Sequence, residues 1–149
     1  MKLEYTVFGE SHGPAVGVVV ENLPSGIPID ESFISREMNR RRAKGDGLST
    51  GFVRYKGCND YRGGGHFSGR LTAPLVFAGA VAKLALREKG IFVGAHILQL
   101  GAEKDQSFTE ESLTENAFEA LAEKDFTVLD DNAGERMKAI IQEARRNLT

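Results

Sequence analysis

Cysteine is scarce in this sequence, since Cys58 is the only one among 149 residues. A single cysteine excludes an internal disulfide, and no charged leader followed by about 7–15 apolar residues opens the sequence. Both features predict a cytoplasmic protein, because the cytoplasm keeps thiols reduced. The three histidines do not lie at metal-ligand spacing from Cys58 or from one another, so we predict no metal site.

The sequence also lacks an excess of charge of either sign and a long apolar run. Nineteen basic residues against 21 acidic residues give a formal net charge of −2. This balance offers no overall attraction for nucleic acid or an anionic membrane, so any anion binding must be local. The apolar run Ala15–Val20 is far shorter than the ~20 residues that span a bilayer. We therefore predict neither a nucleic-acid partner nor a membrane partner.

What is present is an ordinary globular composition, with 41% hydrophobic and 27% charged residues. A chain of this length removes roughly 70% of its unfolded surface from water when it folds. We therefore predict a single domain over residues 1–149.

Hydrophobic periodicity predicts both strands and helices, as in the α/β class. The predicted elements are strands at 3–8, 16–20 and 91–100, and helices at 30–42, 71–89 and 132–147. Asp30 is the predicted N-cap of the first helix. Small residues in the second helix, including Ala78 and Ala80, predict close packing against a neighbour. His96 alternates with apolar neighbours in the third strand, so we predict a strand residue rather than a ligand.

The first candidate site is the loop that follows the first strand, Gly9–Pro14. His12 lies there between Ser11 and Gly13, with Glu10 two residues before it. A histidine of pKa near 6.5 in an exposed turn suits general acid catalysis. A turn histidine without a chemical role has the same sequence pattern, so both interpretations stay open.

A second candidate is the run Arg40–Arg42, which is followed by Lys44 at the end of the first helix. Cations at a helix C-terminus are favoured by the helix dipole, so a solvated cluster explains the run. A phosphate clamp is the alternative, because guanidinium groups pair with phosphate oxygens through two hydrogen bonds.

The third candidate is the glycine-rich stretch Gly63–Arg70, which leads into the second helix. Backbone N–H groups at a helix start bind anions, and glycine lets a phosphate approach the backbone. The spacing matches neither the P-loop nor the dinucleotide-binding fingerprint. The residues alone leave phosphate binding and a structural glycine corner open.

Taken in order, these motifs resemble the N-terminal half of the chorismate synthase family. The segments that carry the resemblance are 8–13, 23–28, 38–42 and 60–70. Residues 93–101 and 129–145 are also similar to the family, so the resemblance covers nearly all of the chain.

The resemblance implies a β-α-β sandwich, here truncated, and a homotetramer that contains reduced FMN. It implies the 1,4-elimination of phosphate from 5-enolpyruvylshikimate 3-phosphate, which gives chorismate in the shikimate pathway of aromatic amino-acid biosynthesis. The partner is then a small-molecule phosphate substrate, and NADPH is one candidate source of electrons.

The resemblance also assigns roles to residues of the first two candidates. His12 matches the histidine assigned to the departing phosphate, where an imidazolium serves as general acid. Arg41 matches the arginine placed at the phosphate-bearing ligand or nicotinamide nucleotide, and Glu10 and Ser11 share its neighbourhood.

In the third candidate, the resemblance implies cofactor contacts. His66, Phe67 and Ser68 match a stretch that contacts FMN, and Arg70 follows close behind.

The chain departs from the family in two places. Between residues 48–50 and 52–55 the family carries a β-rich segment with a second catalytic histidine, which this sequence passes over. The family sequences also continue beyond the residue that matches Thr149. We therefore expect the family's C-terminal half, which removes the substrate proton, to be absent. The alternative function is therefore an inactive remnant or half-enzyme that keeps only phosphate- and flavin-binding loops.

Overall fold

The computed structural model describes residues 2–10, 13–41 and 69–147. The chain divides into two compact units, one formed by Met1–Arg42 with Gly51–Ile91 and the other by Ala43–Thr50 with Phe92–Thr149. The described residues combine helices and short sheets, which confirms the predicted α/β class. The single domain over residues 1–149 stays a prediction.

The first unit begins with an antiparallel hairpin of β1 (Glu4–Gly9) and β2 (Val16–Glu21). Both strands were predicted from their β-branched and aromatic residues. Gly9 has a φ of +101°, and a Cβ there would overlap the carbonyl oxygen of Ala15, so only glycine fits. On the opposite face of the hairpin the ring of Phe8 lies directly over Gly17, its partner across the strands.

Helix α1 (Glu31–Arg40) starts at the predicted cap. The Asp30 carboxylate accepts hydrogen bonds from Ser32 Oγ at 2.6 Å and from the Phe33 backbone N–H at 3.0 Å. These bonds, that from Ser32 first, lower the pKa of Asp30. The cap confirms the start of the helix, which ends at Arg40 rather than at about residue 42.

Helix α2 (Thr72–Arg87) follows a 3₁₀ turn at Gly69–Leu71 and packs against α1 and the hairpin. The core of the unit contains residues from both helices, namely Phe33, Ile34, Ala80, Val81 and Leu84. Ala78 and Ala80 are buried, as the small-residue pattern predicts, since small side chains allow backbones to approach closely. Lys83 Nζ reaches the buried Glu37 carboxylate at 3.1 Å, which joins the two helices.

The segment Gly69–Arg87 is long and apolar enough to cross a membrane by length and composition alone. In the structure α2 contributes five buried residues to the unit: Pro74, Ala78, Ala80, Val81 and Leu84. A core helix of this kind passes the same test of length and composition. The segment is therefore weak evidence for a membrane span.

The second unit contains a short antiparallel pair, β3 (Gln99–Leu100) with β4 (Glu103–Lys104), and the helices α3 (Glu115–Glu123) and α4 (Asp131–Asn147). A second 3₁₀ turn spans Glu110–Ser112. The buried apolar residues of the second unit are Leu121, Val128, Ala133 and Met137. The amphipathic helix predicted at 132–147 is confirmed as α4, with Ala133 and Met137 on its inner face.

The strand predicted at 91–100 is wrong except for Gln99–Leu100. Ile97 N–H donates to Thr127 O in a loop at 2.8 Å, and Asp105 N–H donates to Leu98 O at 2.8 Å, one residue beyond the β3–β4 pair. His96 is therefore not a strand residue.

His96 instead forms a buried pair with Asp105. Its Nδ1 lies 2.9 Å from Asp105 Oδ2, and the ring meets Phe108 edge-on with centroids 4.7 Å apart. The Asp105 carboxylate also accepts the backbone N–H groups of Leu129 at 2.6 Å and Asp130 at 2.9 Å. Burial by itself raises the pKa of Asp105, but the hydrogen bonds outweigh it and lower the pKa from 3.8 to about 2.

Candidate functional site

Parts of the three candidate segments meet in the first unit at the start of α2. Arg41 follows the last residue of α1, and its Nη2 donates to Gly69 O at 2.9 Å and to Thr72 Oγ1 at 3.1 Å. Arg70 Nη1 donates to Gly13 O at 3.1 Å. Segments far apart in the sequence are thus joined by two arginine side chains.

Arg40 and Arg41 play different roles although they are neighbours. Arg40 Nη1 lies 3.5 Å from the Glu37 carboxylate one turn back, so it forms an ion pair within α1. Arg41 reaches out of its own helix to the start of α2. Arg40 thus pairs within its own helix, and the clamp interpretation is compatible with Arg41. Arg42 lies outside the described residues.

The guanidinium of Arg41 has N–H donors that its contacts with α2 do not use. Both bonds to the start of α2 use Nη2, and among residues 2–10, 13–41 and 69–147 no acceptor contacts Nη1 or Nε. An arginine has five N–H donors in a planar fork, so a held arginine can still bind an anion. The side chain is exposed, which leaves these donors accessible.

Arg70 connects the start of α2 with the loop that follows β1. Its acceptor, Gly13, follows His12 in the sequence, and the Gly13 N–H donates to Glu10 O at 3.2 Å. Glu10 is exposed. The structure therefore brings Arg70 to the loop of the predicted general acid, and its described contact is with protein backbone.

The first turn of α2 is suited to an anion. Its N-cap, Leu71, offers no side-chain hydrogen bond, and the turn contains no acidic residue. Pro74 lies in this turn and has no N–H, so the backbone offers few donors, and the positive end of the helix dipole adds to the charges of Arg41 and Arg70. Positive charge at this end favours phosphate over a cation.

Five of the predicted site residues lie outside the described residues: Ser11, His12, His66, Phe67 and Ser68. Their roles stay predictions. Glu10, Arg41 and Arg70 are described, and they lie in the segments that the two arginine contacts bring together.

Sequence reasoning missed Thr72, whose hydroxyl lies between the Gly69 carbonyl and Arg41. A threonine in the first turn of a helix often bonds to backbone three or four residues back, and that habit was the available signal. It also missed Glu37, which lies on the apolar face of α1 and binds Lys83.

The part of the chain that the structure describes contains no group of three or more histidine, cysteine, aspartate or glutamate residues placed to hold a metal ion. The charged side chains described at the start of α2 are the guanidinium groups of Arg41 and Arg70.

Comparison with known proteins identifies relatives of this chain. The family model described as chorismate synthase matches residues 3–51 and 44–148. The chorismate synthase of Aeropyrum pernix is 33% identical over 193 residues, which covers 95% of this chain and 50% of that protein. The chorismate synthase of Aliarcobacter butzleri is 32% identical, covering 98% of this chain and 53% of the relative. No solved structure matches.

The same matches show a difference in length. The chain spans about half the length of the relatives it matches. The alignment with the Aeropyrum protein extends over 193 positions although this chain has 149 residues, so the relative has internal residues that this chain lacks. The two matched segments overlap at 44–51, which is where the sequence predicts a missing internal segment. With a family model that matches nearly every residue, the chain belongs to the chorismate synthase family.

Proposed function

We propose that this chain takes part in the chorismate synthase reaction, the reduced-FMN-dependent 1,4-elimination of phosphate from 5-enolpyruvylshikimate 3-phosphate. The substrate loses a proton and inorganic phosphate and becomes chorismate, without net oxidation. The observation that carries the proposal is that Arg41 and Arg70 meet at the start of α2, where Arg70 also contacts Gly13. Phosphate, as substrate group and as product, is the ligand that these donors suit.

Each residue has a distinct task in this proposal. Arg41 binds phosphate oxygens through Nη1 and Nε while Nη2 stays bonded to α2. His12 protonates the departing phosphate, which makes it a better leaving group. Arg70 holds the carbonyl of Gly13 and so positions the loop in which His12 stands. Glu10 and Ser11 complete the neighbourhood of the phosphate.

FMN carries a terminal phosphate, and the donors at the start of α2 fit such a group. The first turn of the helix is uncapped by any side chain and contains no acid. His66, Phe67 and Ser68 directly precede this turn in the sequence, and we assign them to the flavin. When bound, reduced FMN supplies the electron-rich ring system on which the elimination depends, with NADPH as one source of its electrons.

The cellular location and the oligomeric state of the protein are part of the same proposal. We expect a cytoplasmic homo-oligomer, with the homotetramer of the family as the reference state. Because the chain spans about half of its relatives, we expect residues from another chain or segment to complete the proton-removing part of the site.

A second function is favoured by the missing internal segment. A module that retains the phosphate and flavin loops without the rest of the site binds ligand but does not accelerate the elimination, since catalysis needs transition-state contacts. The alignment of 193 positions against 149 residues supports this candidate.

Product formation separates the two functions. The purified chain is incubated without oxygen with 5-enolpyruvylshikimate 3-phosphate and dithionite-reduced FMN, and chorismate is measured by chromatography. Chorismate that disappears in His12→Ala supports the enzyme, and chorismate that persists there removes His12 from the mechanism. FMN binding without product, in a chain that folds normally, supports the binding module.

Phosphate affinity tests the site itself. Arg41→Ala should weaken the binding of FMN and of inorganic phosphate about tenfold or more, because a hydrogen bond to a charged group contributes about 1.5–3 kcal/mol. Fluorescence quenching of FMN and isothermal titration with phosphate measure the two affinities.

Arg136→Ala is the matched control for Arg41→Ala, because Arg136 is an exposed arginine of the second unit that pairs with Glu103 at 2.7 Å. It should bind both ligands like the unaltered chain. Equal affinities in Arg41→Ala and Arg136→Ala would contradict the assignment of Arg41.

A further inference from the structure

Three groups form a closed triangle of hydrogen bonds between the end of α1 and the start of α2. Arg41 Nη2 lies 2.9 Å from Gly69 O and 3.1 Å from Thr72 Oγ1, and Thr72 Oγ1 lies 2.6 Å from Gly69 O. A hydroxyl has one hydrogen and two lone pairs. Since the Thr72 hydrogen is donated to Gly69 O, its lone pairs are available to accept from Arg41.

We propose that Thr72 is a positioning residue that orients the guanidinium of Arg41 for its phosphate ligand. This inference rests on the proposed function, which makes Arg41 the phosphate-binding residue. Thr72 acts through Arg41 and need not touch the ligand.

The triangle restricts the rotamer freedom of the Arg41 side chain. An exposed arginine at a helix end has about 2 kcal/mol of rotamer entropy to lose when it binds a ligand. Two acceptors on one nitrogen fix both the position of Nη2 and the plane of the guanidinium. The ordering then takes place when the chain folds, before the ligand binds, which is how preorganisation raises affinity.

The triangle also determines which N–H donors of Arg41 face a ligand. The triangle uses Nη2 only, so among residues 2–10, 13–41 and 69–147 Nη1 and Nε have no acceptor and keep their hydrogens for a ligand. A lysine has a single nitrogen and would have to divide its donors between the helix and the ligand at one point. Arginine therefore suits position 41 better than lysine, because its separate nitrogens can bond to α2 and to the ligand at the same time.

Arg41 and Thr72 come from distant parts of the sequence. Arg41 and Thr72 are 31 residues apart, and they stand at the C-terminal end of one helix and the N-terminal turn of another. The shared core of α1 and α2 holds these two ends together. The position of Arg41 is thus determined by the packing of the unit and not by its own helix alone.

Side-chain NMR tests the positioning directly in the full chain. With ¹⁵N-labelled arginine, the Arg41 signals are assigned by their absence in Arg41→Lys, and exchange between its two Nη groups is measured. Exchange should be slow in the unaltered chain, at least about threefold faster in Thr72→Val, which keeps the branched shape, and slow again in Thr72→Ser. Unchanged exchange in Thr72→Val overturns the proposal.

Ligand affinity supplies the second readout. Thr72→Val should weaken FMN and inorganic phosphate binding about three- to tenfold, and Thr72→Ser should restore affinity to within about twofold. Circular dichroism and thermal unfolding verify that each variant is folded. If Thr72→Val is folded and Thr72→Ser fails to restore affinity, Thr72 is not a positioning residue.

The two experiments separate this inference from the proposed function. A loss of affinity in Arg41→Ala without a loss in Thr72→Val leaves the proposed function standing and overturns the role of Thr72. Unchanged affinity in Arg41→Ala refutes the phosphate role of Arg41 and, with it, positioning for a ligand, even where exchange becomes faster in Thr72→Val.

Discussion

Replacing Asp105 by asparagine should destabilise the second unit by about 3 kcal/mol, because the buried carboxylate accepts two backbone N–H groups and pairs with His96. A hydrogen bond to a charged group contributes about 1.5–3 kcal/mol, and a neutral amide with one acceptor atom replaces only part of this set. Urea denaturation measures the loss. Hydrogen exchange at the amides of Leu129 and Asp130 should become faster in the variant, which localises it.

The matched control for this change is Asp131→Asn, whose side chain is 83% exposed and pairs with Lys124. Exposed ion pairs contribute about 0–1 kcal/mol, so the control should unfold nearly like the unaltered chain. A loss in Asp105→Asn no larger than that of the control would contradict the role of Asp105.

Acid supplies an independent check on the same residue. The pKa of Asp105 in the folded chain is about 2, below its ordinary 3.8, so the ionised carboxylate stabilises the fold by about 2 kcal/mol. This contribution is complete above pH 3.8 and decreases as the pH falls toward 2. The difference in stability between the unaltered chain and Asp105→Asn should therefore shrink over that interval.

Met137→Ala should cost about 2–5 kcal/mol, since the methionine side chain is completely buried on the inner face of α4. Removal of the side chain loses its transfer free energy and leaves a cavity that the neighbours fill incompletely. Met137→Leu is the control, because it keeps nearly the same volume and should cost less than about 1.5 kcal/mol. Thermal and urea unfolding compare the two, and equal stabilities would show that this site does not form the core of the unit.

Local patterns in the sequence predicted the elements whose causes are local. The cap at Asp30 needs only a carboxylate three residues before an N–H, and the inner face of α4 needs only helical spacing of Ala133 and Met137. The strand at 91–100 failed because β-propensity describes a side chain that fits a half-buried surface and contains no information on whether a partner strand exists.

The candidate site divides in the same way. Motif resemblance was sufficient to single out Arg41 and Arg70, because the residue types and their order identify them. Thr72 could not be predicted from the sequence, since its partner Arg41 is 31 residues away and only the packing of two helices brings the pair together. The pair of His96 and Asp105 was missed for a related reason, as the carboxylate is fixed by backbone 24 and 25 residues further along.

The contact between Phe8 and Gly17 couples substitutions at these two positions. Any side chain at position 17 would overlap the Phe8 ring, and the ring, which is 53% exposed, would have to turn away. A substitution at 17 should therefore cost less where position 8 carries a small residue, which has no ring to displace. The two positions form an epistatic pair, because the effect of a change at one depends on the residue at the other.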